Sequence, residues 1–108
     1  MPITDKKPSS ALLAEVNADA MARYKEMRAL VMPAPGVDAA TCEIVLALQF
    51  ALLGHEVPFK IHALRAMKLG VSLAQLEGLA MAGVGVTLIA CEAARAIEWL
   101  RQAHAQGQ

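Results

Sequence analysis

Apolar side chains recur every three or four positions along most of the chain, which is the pattern of amphipathic helices. The first such stretch predicts a helix from Ser9 or Ser10 to about Val31. It carries one apolar stripe, made of Leu12, Leu13, Val16, Ala20, Tyr24, Met27 and Leu30 or Val31. The segment Pro33-Ala34-Pro35-Gly36 ends this helix, because proline and glycine interrupt helical hydrogen bonding. Residues 1–9 are polar, contain two prolines and predict a flexible tail.

The middle of the chain predicts a helical pair joined by a tight turn. Asp38 is the expected N-cap of a second helix that extends to about Leu53 and is apolar on nearly every side, as in a central helix. Gly54 ends this helix. Pro58 lies in the first turn of a third helix, which continues to Leu69 and stops at Gly70.

Two further helices complete the prediction. Ser72-Leu73-Ala74-Gln75 fits a capping box that opens a fourth helix, and this helix weakens around Gly83-Val84-Gly85. Thr87 is the expected cap of a fifth helix ending near Ala103. We therefore expect about five helices in a single domain spanning residues 10–108, preceded by the tail.

Composition supports an all-α fold and self-association. Hydrophobic residues make up 56% of the 108 positions and aromatic residues only 4%, with the excess supplied by the helix formers Ala, Leu and Met. So small a domain cannot bury that much apolar side chain alone. We therefore expect helix contacts between identical subunits.

Charge excludes several classes of partner. Lys plus Arg equals Asp plus Glu at ten each, so no overall field favours nucleic acid, acidic ligands or an anionic membrane. The first residues have no apolar signal core, and the run from Leu79 to Cys91 falls short of the roughly 20 residues that span a bilayer. We expect a cytoplasmic protein, in which Cys42 and Cys91 are small buried hydrophobes.

The candidates for acid/base chemistry in the helical core are Glu43, His55, Glu56 and His62. Glu43 lies on an apolar helix face, where a carboxylate is costly without a partner. His55 and His62 are seven residues apart with Phe59 between them, so all three share one face if the third helix already includes Glu56. The turn at Gly54 folds that face toward Glu43.

Three interpretations of Glu43, His55 and His62 remain open from the residues alone. They form an acid/base cluster in a mostly dry pocket, or a polar contact that joins two helices. Two histidines and a carboxylate are also the ligand set of a metal-binding facial triad, although the spacing matches no known metal motif.

The segment Gly54-His55-Glu56-Val57-Pro58-Phe59-Lys60-Ile61-His62, continued by Ala66 and Gly70, resembles the core helix of the carboxymuconolactone decarboxylase family. That family has approximately the pattern GH(D/E)xxF(R/K)xHxxxAxxxG, preceded by a helix with a glutamate, and Glu43 stands at the corresponding position. The resemblance covers roughly residues 38–80. It implies an alkyl hydroperoxidase D-like helical subunit of trimers or hexamers, with no bound cofactor and no metal.

The resemblance also implies a reaction, the decarboxylation of a small carboxylated lactone of aromatic catabolism. His62 would then act as the acid/base and Glu43 would orient it, while His55 would contact substrate or donate a second proton. Lys60, Arg65 and Phe59 are the expected substrate contacts.

Two other functions stay open. Relatives with dithiol peroxidase activity carry a CxxC pair, but the corresponding positions here hold His55 and Pro58, which disfavours a thiol mechanism. A non-catalytic helical oligomer, which holds the same polar residues in an interface or binds a small ligand, is the alternative from a different class.

Overall fold

The computed structural model describes residues 8–107, and within this range the fold is all-α. Apart from an isolated bridge between Val84 and Leu88, the described residues contain no β-structure. Six helices follow one another along this part of the chain: α1 (Ser9–Val16), α2 (Ala18–Val31), α3 (Ala39–Leu53), α4 (Glu56–Lys68), α5 (Leu73–Ala82) and α6 (Ala90–Gln106). Of the predicted tail, residues 1–7 lie outside the described range, and Ser9 already belongs to α1.

The predicted first helix is wrong in one respect, because it is divided at Asn17 into α1 and α2. Asn17 has an extended backbone, with φ −151° and ψ 92°. Its side chain accepts a hydrogen bond of 2.9 Å from the amide of Ala20, so it caps α2, while its own amide donates to Leu13. An asparagine side chain competes with helical hydrogen bonds in this way. The expected N-cap at Ser9 or Ser10 is also displaced, to Pro8.

Helices α3 and α4 pack against each other, as expected of a helical pair, and both supply buried residues to the core. Asp38 caps α3 by accepting hydrogen bonds of 2.9 Å from both the amide and the hydroxyl of Thr41. These bonds, the amide first, hold the pKa of the Asp38 carboxyl below its usual range. Gly54 ends α3 in the left-handed conformation, at φ 74°, so α4 can return alongside α3 after His55.

The core is built largely from alanine, which allows the helices to approach closely. Phe59, Leu76 and Leu100 are the large side chains buried at its centre. The remaining buried members of this cluster are small: Ala47, Ala51, Ala63, Ala80 and Ala96. Small side chains on facing helices shorten the distance between helix axes, so a chain with few aromatic residues still forms a packed interior.

The C-terminal helices follow the prediction in one place and depart from it in another. The capping box of α5 is present, since Ser72 and Gln75 each bond the other's backbone amide. Helix α6 begins at Ala90, however, and Thr87 does not cap it. The amide of Thr87 donates to Gly83 within a turn, whereas Glu92 accepts from the amide of Ile89 at 2.9 Å and closes the start of α6.

The apolar stripe predicted for the first helix faces outward instead of into the core. Met21 is the buried residue of α2, and α1 has none. All members of the stripe are exposed: Leu12, Leu13, Val16, Ala20, Tyr24, Met27, Leu30 and Val31. No helix in residues 8–107 is both long and apolar enough to cross a membrane.

Candidate functional site

Glu43 and His62 form a polar pair between α3 and α4. Oε2 of Glu43 lies 2.5 Å from Nδ1 of His62, and the two side chains are only 10% and 16% exposed. The Gly54 turn brings the helices together, so residues 19 positions apart meet. The buried Glu43 carboxylate thus has the hydrogen-bond partner that its apolar surroundings require.

The pairing determines which nitrogen of His62 remains for chemistry. With Glu43 ionised, Nδ1 carries the hydrogen that it donates to the carboxylate, and Nε2 is left to accept or deliver a proton. Phe50 stacks on the imidazole, with ring centroids 5.5 Å apart and planes inclined by 17°. The ring of His62 is therefore held on one edge by a carboxylate and on one face by an aromatic side chain.

His62 lines a cavity of about 620 Å³. Helices α1 to α4 all contribute to its wall, through Ser10, Tyr24, Lys25, Arg28, Ala29, Met32, Leu46, Phe50, His62 and Arg65. The volume falls in the range of small-molecule sites, and the wall combines an apolar part with a few polar groups. A proton-transfer group thus faces a space that can hold a small organic molecule.

His55 is not among the residues that line this cavity. It is the N-cap of α4, with an extended backbone, and its exposed ring lies edge-on to Phe50 with centroids 6.2 Å apart. Although Glu56 does belong to α4, the helical spacing does not extend back through a non-helical cap residue. The expected convergence of three residues is therefore reduced to Glu43 and His62, with Phe50 between the two imidazoles.

Of the three expected substrate contacts, the structure places one at the cavity. Arg65 lines it, one helical turn after His62. Lys60 is buried, and its ammonium group donates to Glu56 at 2.7 Å and to Gln102 at 2.8 Å. Lys60 lies two residues before His62, so it is about 200° around the helix and on a different face from the cavity. Phe59 is buried in the core against Trp99. We therefore leave Lys60 and Phe59 out of the proposed site.

Sequence reasoning missed the wall that α2 supplies. Tyr24, Lys25 and Arg28 line the cavity, and none of them was a candidate. The spacing of Lys25, Arg28 and Met32 indicates a common helix face. No local signal, however, shows that this face lies opposite His62.

The cysteines differ from each other. Cys42 is buried, as expected, and its sulfur accepts from the amide of Ala34 at 3.4 Å. It lines a neighbouring cavity of about 290 Å³ that shares Arg28, Met32 and Leu46 with the larger one. Cys91 is exposed, so the prediction of a second buried thiol is wrong, because it falls on the outward face at the start of α6.

Another cation near the Gly54 turn lies outside the cavity. The Arg95 guanidinium is 4.9 Å from the centre of the Trp99 ring and donates to the carbonyl of Ala51 at 3.4 Å.

Across residues 8–107, no group of three or more His, Cys, Asp and Glu side chains is arranged to hold a metal ion.

Comparison with protein-family models, with curated proteins and with solved structures finds no match for this chain. Any functional argument therefore starts from the site itself. The described residues provide a carboxylate-oriented histidine, an aromatic support and a cavity with basic residues around it.

Proposed function

We propose that the chain is a cofactor-free decarboxylase, or a closely related lyase or isomerase, that acts on a small carboxylated lactone. The resemblance of residues 38–80 to the carboxymuconolactone decarboxylase family suggests this chemistry. The site supports it with two features, namely a histidine oriented by a carboxylate and a cavity of suitable size beside it. The observation that carries the proposal is the Glu43–His62 pair at the wall of that cavity.

In the proposed reaction the bond between the carboxyl carbon and the ring breaks and carbon dioxide leaves. The electron pair of that bond passes into the adjacent carbonyl system and forms an enolate. The ring carbon then takes a proton from Nε2 of His62 in its imidazolium form, which leaves a neutral imidazole with its hydrogen on Nδ1, and solvent returns a proton to Nε2. Glu43 holds the ring in position by accepting the hydrogen bond from Nδ1. His55 has no assigned step, because it lies outside the cavity.

The test is turnover of 4-carboxymuconolactone, followed by loss of the ring absorbance. A single general acid contributes a rate factor of roughly 10² to 10⁴, so His62→Ala should lower kcat by that factor while the helical content is retained. His104→Ala is the matched control, since His104 lies on α6 and does not line the cavity. The specific assignment fails if the unaltered protein has no turnover, or if both variants retain full activity.

We also propose that the functional form is a homo-oligomer, a trimer or a hexamer. Large apolar side chains are exposed on α1, α2 and the α5–α6 connection; Val16 is 86% exposed, Leu30 81% and Val86 83%. Contact with a second copy would remove this surface from water. Sedimentation equilibrium tests the proposal. A protein that stays monomeric at micromolar concentration would contradict it, and Leu30→Glu should weaken an assembly that uses α2.

A further inference from the structure

The basic residues of this neutral chain are unevenly placed. Three of its ten Lys and Arg residues, Lys25, Arg28 and Arg65, line the cavity that contains His62. No Asp or Glu is among the lining residues, and Glu43 lies behind His62, bonded to its Nδ1. The cavity therefore has a positive wall although the whole chain has equal numbers of acidic and basic side chains.

Among residues 8–107, no carboxylate forms an ion pair with these three cations. In residues 8–107 the lysines and arginines in ion pairs are Arg23, Lys60 and Arg101. Lys25, Arg28 and Arg65 make no ion pair within the described part of the chain. Arg28 is half-buried, whereas Lys25 and Arg65 are exposed. A positive charge removed from water without a counter-charge is costly, and an anion that entered the cavity would offset that cost.

The opposite part of the wall is apolar. It is lined by Leu46 and Phe50 of α3, by Met32, which directly follows α2, and by Tyr24 of α2. An inorganic anion would leave these side chains in contact with water. An organic anion with a flat apolar body would cover them while its charged group remained at the basic residues.

We propose that α2 supplies an anion-binding wall, in which Arg28, assisted by Lys25 and Arg65, binds the carboxylate of a small organic acid whose apolar body lies against Phe50. Arg28 is the principal contact, because it is the least exposed of the three and its planar guanidinium matches a carboxylate. The inference rests on the proposed function only in that the bound ligand then lies beside His62. Lys25 and Arg28 are thus specificity residues outside the segment that resembles the decarboxylase family.

The test is direct binding to the full chain, measured by titration with benzoate, benzamide and inorganic phosphate while amide chemical shifts are recorded. Benzoate has the charge and the flat body, benzamide has only the body, and phosphate has only the charge. We expect benzoate to bind more tightly than either of the others, with shifts at α2 and at His62. Its affinity should fall as salt is added, since two of the three cations are solvent-exposed.

Variants of α2 identify the residues responsible. Arg28→Ala should weaken benzoate binding roughly tenfold or more, the usual effect of losing a charged hydrogen bond. Arg28→Lys should lose part of the affinity, because lysine retains the charge but not the planar pair of donors. Arg23→Ala is the control, since Arg23 lies on the same helix, pairs with Glu26 at the surface and does not line the cavity. Helical content measured by circular dichroism verifies that each variant is folded.

The inference is overturned if benzoate does not bind, if benzamide binds equally well, or if Arg28→Ala and Arg23→Ala have the same effect. Phosphate binding as tight as that of benzoate would also overturn it, because the apolar wall would then contribute nothing. Benzoate binding without turnover of 4-carboxymuconolactone would support this inference and refute the proposed function. Turnover of 4-carboxymuconolactone without benzoate binding would support the proposed function and refute this inference.

Discussion

Replacing Glu43 by glutamine separates a catalytic from a structural role of the Glu43–His62 pair. Glutamine has nearly the same shape, and its amide oxygen can still accept from Nδ1 of His62, so the cavity wall should stay in place. The charge is lost. Hydrogen bonds to charged groups contribute about 1.5–3 kcal/mol, against about 1 kcal/mol for neutral ones. For a bond of 2.5 Å between side chains that are 10% and 16% exposed, we expect Glu43→Gln to cost about 1 kcal/mol of unfolding free energy.

That cost corresponds to a fall in Tm of roughly 4–8 °C for a domain of about this size, measured by thermal unfolding. Glu77→Gln is the matched control, because Glu77 accepts from Nε of Arg101 at 2.7 Å in a pair with one side chain 68% exposed. Exposed pairs contribute between zero and 1 kcal/mol, so Glu77→Gln should change Tm less.

Activity gives the second measurement. A neutral amide bonds Nδ1 of His62 more weakly than a carboxylate does and holds the imidazole less firmly for proton transfer, so kcat on 4-carboxymuconolactone should fall by more than the loss of folded protein explains. If Glu43→Gln lowers Tm no more than Glu77→Gln, the energetic argument for a buried charged pair is wrong. If Tm falls but kcat is unchanged, and no ligand raises the melting temperature, the pair only joins two helices and the non-catalytic alternative is supported.

Three further predictions concern the fold. Ser72→Ala removes the hydroxyl that caps α5 and should cost about 1 kcal/mol of unfolding free energy, measured with urea; an unchanged midpoint would contradict the capping role. Gly54→Ala should cost about 1–2 kcal/mol, because φ is 74° and the added Cβ would lie 3.2 Å from Arg95; a neutral effect would show that the turn relaxes. Asp38→Ala should destabilise the protein at neutral pH. Because the pKa of Asp38 is lowered on folding, the difference in stability between the two proteins should persist above the pKa of the unfolded state and shrink as pH falls through the folded-state pKa. A difference in stability that does not depend on pH would refute the contribution of the ionised carboxyl.

Helix boundaries were predictable where a nearby side chain or backbone conformation decides them. Asp38, Gly54 and Ser72 each act within about one turn, so the limits of α3 and the start of α5 could be derived from local sequence. Asn17 and Ile89 were missed. Asn17 interrupts an apolar periodicity that continues on both sides, and Ile89 has no capping side chain of its own and depends on Glu92.

The candidate site was predictable only in part, for a similar reason. Glu43 and His62 lie on helices joined by a two-residue connection, so a tight turn brings them together almost regardless of the rest of the fold. The prediction that His55 shares a face with Phe59 and His62 was wrong, because His55 is the N-cap of α4 and helical spacing does not include it. Lys60 is opposite His62 on the same helix and finds its partners in Glu56 and Gln102.

The sequence by itself determined the all-helical class, the central α3–α4 pair and the pairing of Glu43 with a histidine, because these depend on periodicity, caps and one short turn. Only the tertiary structure decided that α2 forms part of the wall of the cavity beside His62 and brings Lys25 and Arg28 to it. It also decided that the apolar stripe of α1 and α2 is exposed. Packing between helices far apart in sequence depends on the shapes of whole surfaces, which no local pattern encodes.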